Sequence, residues 1–543
     1  MMPVSKAVSV QADTVFLFTS ILMENINNQS RNQTIRDSKT LSAWQKGPFE
    51  LDNAADIFAE GTLYDALIVG GGITGLTTAL LLQKQGRQCI VAEAYTIGFG
   101  TTGGTTAHLN NFFDATYADV ESDFSKEASK LLANCGNESF EMIEAMVKEY
   151  NIDCDFEYKD GYLYAETDAE IKVLDEIFIA SQKAGIEVEQ STTNGVNVPF
   201  KKAIVFKKQG QFHPLKYIFK LAEAFVDAGG IIVENTFIRD SSYENGVHSA
   251  KSDTTIIKAK NLIYATHLPP GINVFDFRCS PYRSYVLGIR LKDENAYPTC
   301  LSYDLKDPYH YFRAHIINDK KYMILGGEDH KTGHEDPNAA FEALEKYARQ
   351  YYDIADVTFK WSAQYYIPAD GLPYIGQLPG GYSNMYIATG YNGNGMMFGT
   401  IAGKIISDAV TGIENQYSYL FNPSRIKPVA GFKEFVKENV DVAYHFIADR
   451  FSAENINSLK ELETDSGTIV KYNGEKLAVY KDTEGNVTAL NPVCTHAKCI
   501  VCFNDAEKSW DCPCHGGRYD VNGKVLTGPP RADLQKVNIG GSY

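Results

Sequence analysis

At 543 residues the chain exceeds what one hydrophobic core serves, and 44% hydrophobic with 22% charged residues is the composition of a globular protein of about two to four domains. A formal charge of −17 disfavours nucleic acid, whose binding draws on clustered Lys and Arg, and leaves a small molecule or another protein as the expected partner. No apolar run reaches the roughly 18 residues of a membrane span, and residues 15–23 form a short run with one lysine before it and no small-residue cleavage site after it, so a cytoplasmic protein without an integral membrane segment is expected, with an exported one as the alternative.

Residues 1–60 are polar and aperiodic and read as a flexible N-terminal extension. From Tyr64 an apolar run, ALIVGGG, leads into ITGLTTALLLQKQG with helical spacing and then CIVAEA, a short buried strand, which together make a βαβ opening. Further on, KYIFKLAEAFVDAGG predicts an amphipathic helix stopped by glycine, and IIVENT and NLIYATH predict buried strands returning to the same sheet. YRSYVLGIRL and YHYFRAHIINDKKYMILGGED alternate as antiparallel strands do, the second as a hairpin around Asn318 and Asp319. These strands suit a sheet-based domain interleaved with the first within residues 61–428. GNGMMFGTIAGKIISDAV predicts a closing helix, residues 429–455 an amphipathic helical connector, and residues 456–543, with their SG, NG and EG turns, a small all-β module.

Gly70, Gly72 and Gly75 form G-x-G-x-x-G directly between the first strand and its helix, with Glu93 ending the next strand. Glycines permit a tight turn and close approach of backbone to a pyrophosphate, the helix N-terminus faces its charge, and an acid can accept from a ribose hydroxyl. A dinucleotide is therefore expected. The following GFGTTGGTTAHL, residues 98–109, resembles the segment that wraps the pyrophosphate in the D-amino-acid oxidase and glycine oxidase family of flavoproteins. PADGLPYIG, residues 368–376, and ATGYNGNGMMFGTIAG, residues 388–403, resemble that family's closing motif.

The resemblance implies FAD, with Thr105, Thr106, Gly371, Gly390, Gly393, Gly395 and Met396 joining the glycine loop around it. Some members of the family attach FAD through a cysteine near the closing motif. WSAQYY, residues 361–366, has none, so non-covalent FAD is expected, and the lack of a second complete fingerprint disfavours direct reduction by NADH. In that fold the second sheet covers the flavin, which makes Tyr282, Arg283, Tyr285, His310 and Arg313 candidate pocket residues, with an arginine pairing a substrate carboxylate. His108 is a further candidate beside the flavin.

Five of the ten cysteines fall between Cys494 and Cys514. Cys494-x-His496, fifteen intervening residues and Cys512-x-x-His515 bring two thiols and two imidazoles from two loops. Tetrahedral zinc also takes two cysteines and two histidines, but a zinc finger groups its histidines after its cysteines, whereas each loop here supplies one of each. The pattern resembles a Rieske [2Fe-2S] domain, in which the cysteines hold one iron and the histidines the other. That resemblance implies Cys494, His496, Cys512 and His515 as ligands and a disulfide between Cys499 and Cys514. Gly517 stands where many members have a serine that hydrogen-bonds a bridging sulfur, while Tyr519 keeps the aromatic hydroxyl; fewer donors imply a potential below the top of the family's range.

Asp307, His310 and His315 also match the spacing of a mononuclear-iron motif of Rieske oxygenases. A strand would point positions 310 and 315 to opposite faces, so no iron is expected there.

The expected fold class is α/β: a Rossmann-like FAD-binding domain, an interleaved antiparallel-sheet substrate domain and a C-terminal all-β Rieske domain. The expected function is oxidation of the C–N bond of an amine or amino acid by FAD, with electrons leaving through the cluster to an unidentified acceptor. The alternative is an electron-transfer or redox-sensing protein with no organic substrate. An open cavity with convergent polar groups over the flavin separates the two.

Overall fold

The computed structural model describes residues 36–45, 51, 61–426, 454–455 and 461–539. Its first sheet is built on strand Leu63–Val69, which pairs in parallel with Cys89–Ala92 on one side and Ile256–Tyr264 on the other. Ile231–Val233 and Met385–Thr389 extend it in parallel, and Tyr374–Gln377 closes it antiparallel. Ala66, Leu67 and Ile68 are fully buried, as a parallel strand covered on both faces requires. Helix Ile73–Lys84 follows the glycine loop and packs beside helices Pro214–Asp227 and Gly395–Thr411.

The second sheet is mostly antiparallel, in the order Ile354–Pro368, Cys279–Leu291, Lys320–Lys331, Tyr311–Ile317, Leu301–Tyr303, Glu157–Ala165, Lys202–Gln211 and His108–Leu109. The expected hairpin turns at Asn318 and Asp319, both at positive φ (48° and 60°), the conformation that lets a two-residue turn match strand twist. The two sheets are interleaved along the chain because Cys279–Leu291 starts soon after Ile256–Tyr264, and Ile354–Pro368 leads back to Tyr374–Gln377.

The C-terminal module holds two four-stranded sheets around Trp510, Tyr519, Val501 and Leu490. The expected connector at 429–455 lies outside the described residues apart from the two-residue strand Glu454–Asn455.

The expectation of a loose extension fails for residues 36–45. Arg36, Asp37 and Ser42 are buried and Trp44 is fully so. Trp44 donates from Nε1 to the Thr105 carbonyl at 2.6 Å, and Arg36 donates to the Ser362 carbonyl. Asp37 pairs with Arg518 of the β module at 2.8 Å. This short segment, polar by composition, is held because its charges find partners on both neighbours at once.

Candidate active site and metal centre

One large cavity runs from the glycine loop to the antiparallel sheet. At the loop end, Gly70 has φ of +112°, and a Cβ there would meet the Ala265 carbonyl oxygen at 2.5 Å; Gly75 is excluded from the wall but lies so close to the Gly70 carbonyl that no side chain fits between turn and helix. Glu93 accepts from the Gly71 amide at 2.7 Å and the Tyr95 amide at 2.9 Å, and burial pushes its carboxyl up to about 7. Thr105 and Thr106 line the middle. Gly393, Gly395 and Met396 line the wall where helix Gly395–Thr411 begins, and a Cβ on Gly393 would meet Asp114 Oδ2 at 2.9 Å and the Tyr309 hydroxyl at 3.1 Å. Gly371 and Gly390 are outside the wall. Both hold positive φ in the turns that aim this helix, and the Gly371 carbonyl accepts from Asn392 at 3.1 Å. Bare backbone therefore faces the cavity at both ends, which is the cradle a dinucleotide needs.

At the sheet end the wall is made by Tyr303, Tyr309, Tyr311, Tyr365, Asp114 and Asp329. The Tyr365 hydroxyl donates to Asp329 at 2.8 Å, and Tyr311 shares a hydrogen bond with Ser284 at 2.8 Å. Asp114 accepts from the Gly393 amide at 2.6 Å. His108 faces Tyr303 and Tyr311 edge to face at 5.3 and 5.5 Å, kept neutral by burial and by the Arg313 charge.

None of Tyr282, Arg283, Tyr285, His310 and Arg313 forms this wall. For Arg283, Tyr285 and His310 the reason is alternation along the chain, in which a one-residue error reverses every side chain. Ser284 and Val286 face the cavity, so Arg283 turns to Ser362 and Glu507 while Tyr285 stacks on His330. Tyr309 and Tyr311 face it, so His310 turns to Asp304 at 2.8 Å and stacks on Tyr347. Tyr282 lies beside Tyr365, with ring centroids 6.1 Å apart. Arg313 follows the cavity face but sits beyond it, donating to the carbonyls of Thr106, Ala107 and Phe212. His315 contacts Arg313 at 2.7 Å and Asp155 at 3.4 Å, so His310 and His315 do not converge.

In the β module the loop before Cys499 and the loop after Asp511 face each other. Cys499 and Cys514 are joined as a disulfide. Cys494 and Cys512 remain thiols, buried and within hydrogen-bonding reach of one another. The rings of His496 and His515 are 5.0 Å apart and perpendicular. All four of their ring nitrogens are buried without a hydrogen-bond partner, although His496 Nε2 comes within 3.3 Å of Asp276 Oδ2. Buried nitrogens of this kind are costly unless something ligates them. The sulfurs of Cys499, Cys512 and Cys514 also cluster, but two of these are spent on the disulfide. Tyr519 places its hydroxyl 3.2 Å from Cys494 Sγ. A Cβ on Gly517 would meet Pro530 Cγ at 2.5 Å, which explains why no serine stands there.

The module docks with this end against the cavity. Leu526, Thr527, Gly528 and Pro530 form part of the cavity wall. Gln364 and Tyr366, also in the wall, donate to the carbonyls of Gly516 at 2.9 Å and His515 at 3.2 Å. Behind them lies a buried ionic set: Glu507 approaches Arg283 (3.4 Å) and Arg36 (3.9 Å), and Arg518 pairs with Asp511 (3.0 Å) as well as Asp37. Among the described residues no helix is long and apolar enough to cross a membrane.

Residues 65–409 match the family model described as FAD dependent oxidoreductase, and residues 454–538 that of the Rieske [2Fe-2S] domain. A Bacillus subtilis protein described as a Rieske 2Fe-2S iron-sulfur protein, YhfW, is 31% identical over 88% of this chain and 94% of its own. The gamma-glutamylputrescine oxidoreductase of Escherichia coli is 24% identical over 68% of this chain and 88% of its own. Among solved structures, glycine oxidase from Geobacillus kaustophilus superposes with a TM-score of 0.55 at 19% identity, covering 67% of this chain and 99% of that one. The chain thus belongs to the FAD dependent oxidoreductase family, with a Rieske domain at its C-terminal end, and its cofactors are FAD and a [2Fe-2S] cluster.

Proposed function

We propose that this oxidoreductase oxidises a C–N bond of an amine or amino acid and that the electrons leave through the Rieske domain to a separate acceptor. The observation that carries this reading is the shared wall: Tyr366 and Gln364 border the flavin cavity and also hydrogen-bond the loop containing His515. When bound, FAD supplies two-electron uptake and the cluster one-electron carriage. Cys494, His496, Cys512 and His515 would hold the cluster, since two free thiols and four unpartnered ring nitrogens fit that group.

The chain's own residues do the rest. Gly70, Gly72 and the start of helix Ile73–Lys84 receive the pyrophosphate, and Glu93 stands at the ribose end. The backbone at Gly393–Met396 meets the flavin edge. Tyr303, Tyr309, Tyr311 and Tyr365 enclose the space left for a substrate, an open cavity with convergent hydroxyls and carboxyls of the kind a relay without substrate does not need. Relatives whose names denote oxidation of an amine or of glycine support the bond type.

Anaerobic bleaching of the flavin against a panel of amines and amino acids tests this reading. Reduction by at least one member is expected, and a flavin that none of them reduces contradicts it.

A further inference from the structure

Among the described residues the wall of the cavity contains three carboxylates, Glu93, Asp114 and Asp329, and no lysine or arginine. Glu93 belongs to the nucleotide end, where both its oxygens accept backbone amides. Asp114 and Asp329 remain at the substrate end. The arginines expected to pair a substrate carboxylate are committed elsewhere: Arg283 to Ser362 and Glu507, Arg313 to three carbonyls and His315. The cavity histidines do not replace them, because burial holds His108 well below its ordinary pKa and His267 down to about 4.

Asp329 is only half satisfied. Tyr365 donates to Oδ2, but Oδ1 is shielded from solvent and has no hydrogen-bond partner. An unpaired carboxylate oxygen in a wall is costly unless a donor or cation arrives. Tyr303, Tyr309, Tyr311 and Tyr365 stand in the same wall; Tyr309 and Tyr311 are inclined to each other at 41° with centroids 5.7 Å apart. Carboxylates together with several aromatic rings make the recognition chemistry of an alkylammonium group. They make a poor site for an α-carboxylate, which would sit beside two acidic groups without a counter-ion.

From this composition we infer that the substrate is a cationic amine carrying no carboxylate on the carbon to be oxidised, its ammonium group held between Asp114 and Asp329. The inference rests on the proposed C–N oxidation and narrows its substrate class. In balance, R–CH2–NH3+ gives up one proton from nitrogen to Asp329 and one hydride, with its two electrons, to FAD, leaving R–CH=NH2+ next to Asp114. Water then converts that product to an aldehyde and ammonium.

The test uses the full-length protein with FAD bound and reads flavin absorbance changes on titration with benzyltrimethylammonium and with benzoate, neither of which can turn over. The cation is expected to bind at least roughly tenfold more tightly than benzoate, and Asp329→Asn and Asp114→Asn are each expected to weaken it by about tenfold with FAD content unchanged. Equal or tighter binding of benzoate, failure of the cation to bind, or parent-like cation binding in both variants overturns the inference. Should one variant lose FAD, the other and the parent comparison still decide. Anaerobic bleaching with the pairs 2-phenylethylamine and phenylalanine, and propylamine and 2-aminobutyrate, separates the two claims. Faster bleaching by the amino acids sinks the inference and leaves C–N oxidation standing. Cation binding with no bleaching by any amine sinks the oxidation reading and leaves the recognition standing.

Discussion

The hydroxyl of Tyr366 lies 3.2 Å from the carbonyl oxygen of His515, while the ring of the same tyrosine forms part of the flavin cavity. A side chain of the oxidoreductase domain thereby touches both the cavity proposed for FAD and the backbone of a proposed cluster ligand. Removing the hydroxyl leaves the ring and the packing in place. Tyr366→Phe should leave flavin reduction by substrate unchanged and slow the subsequent internal transfer, read in stopped flow at the flavin and cluster bands. Equal rates in the variant and the parent would show that the contact is structural only.

Glu507 comes from the Rieske domain and is completely buried between Arg283 and Arg36. Breaking a buried pair strands the opposite charge, which costs about 3–5 kcal/mol. Glu507→Ala should lower the melting temperature and expose the C-terminal domain to limited proteolysis. FAD content should persist, because the glycine cradle is elsewhere. An unchanged melting temperature would mean that this ionic set does not hold the domains together.

The carboxyl of Asp329 is pushed up to about 7, chiefly by burial, with nearby Ser284 and the Tyr365 hydrogen bond opposing; Asp114 raises it further and His310 lowers it. A raised carboxyl pKa disfavours the charged form, so any stability linked to this group is fully present at low pH and is lost as pH rises towards about 7. Binding of a cation has the opposite sign, since it needs the ionised form. Affinity for benzyltrimethylammonium should therefore rise from about pH 5 to about pH 8, and Asp329→Asn should flatten that profile. A parent profile already flat across this range would remove Asp329 from cation binding.

Tyr519 is the hydroxyl nearest Cys494 Sγ, and Gly517 contributes no side-chain donor. Hydrogen bonds to the sulfurs favour the reduced form, so the midpoint should fall short of the upper end of the roughly −150 to +300 mV Rieske range. Tyr519→Phe should lower it further, by about 20–65 mV if one hydrogen bond contributes ~0.5–1.5 kcal/mol. Spectroelectrochemical titration checks both statements, and a rise in the variant would contradict the assignment.

Much of this architecture was legible in the sequence because its signals are local. The glycine fingerprint ends a buried strand and opens a helix, the Asn318–Asp319 turn marks its hairpin, and the cysteine and histidine spacing marks two facing loops. The substrate wall was not legible in the same way. Alternation says that one face of YRSYVLGIRL or YHYFRAH is inward, but either parity is consistent with an aromatic-rich strand. Arg283 and His310 drew attention as chemical groups, whereas Ser284, Tyr309 and Tyr311 hold the inward positions. Asp329 closes the run MILGGED, yet its neighbour Tyr365 comes from a strand more than thirty residues later. Residues 36–45 escape a local reading for a related reason, because the partners that bury Arg36 and Asp37 lie hundreds of residues away.

The central claim is that the flavin and the cluster form one circuit within a single chain, since two centres on one chain meet without diffusion. Stopped-flow mixing of the anaerobic protein with a reducing amine tests it most directly. Flavin absorbance should bleach and then recover as the cluster is reduced, at a rate that does not change with protein concentration, while His515→Ala should bleach and stall. A recovery rate that scales with protein concentration, or a His515→Ala variant that turns over with its acceptor as fast as the parent, would contradict the account.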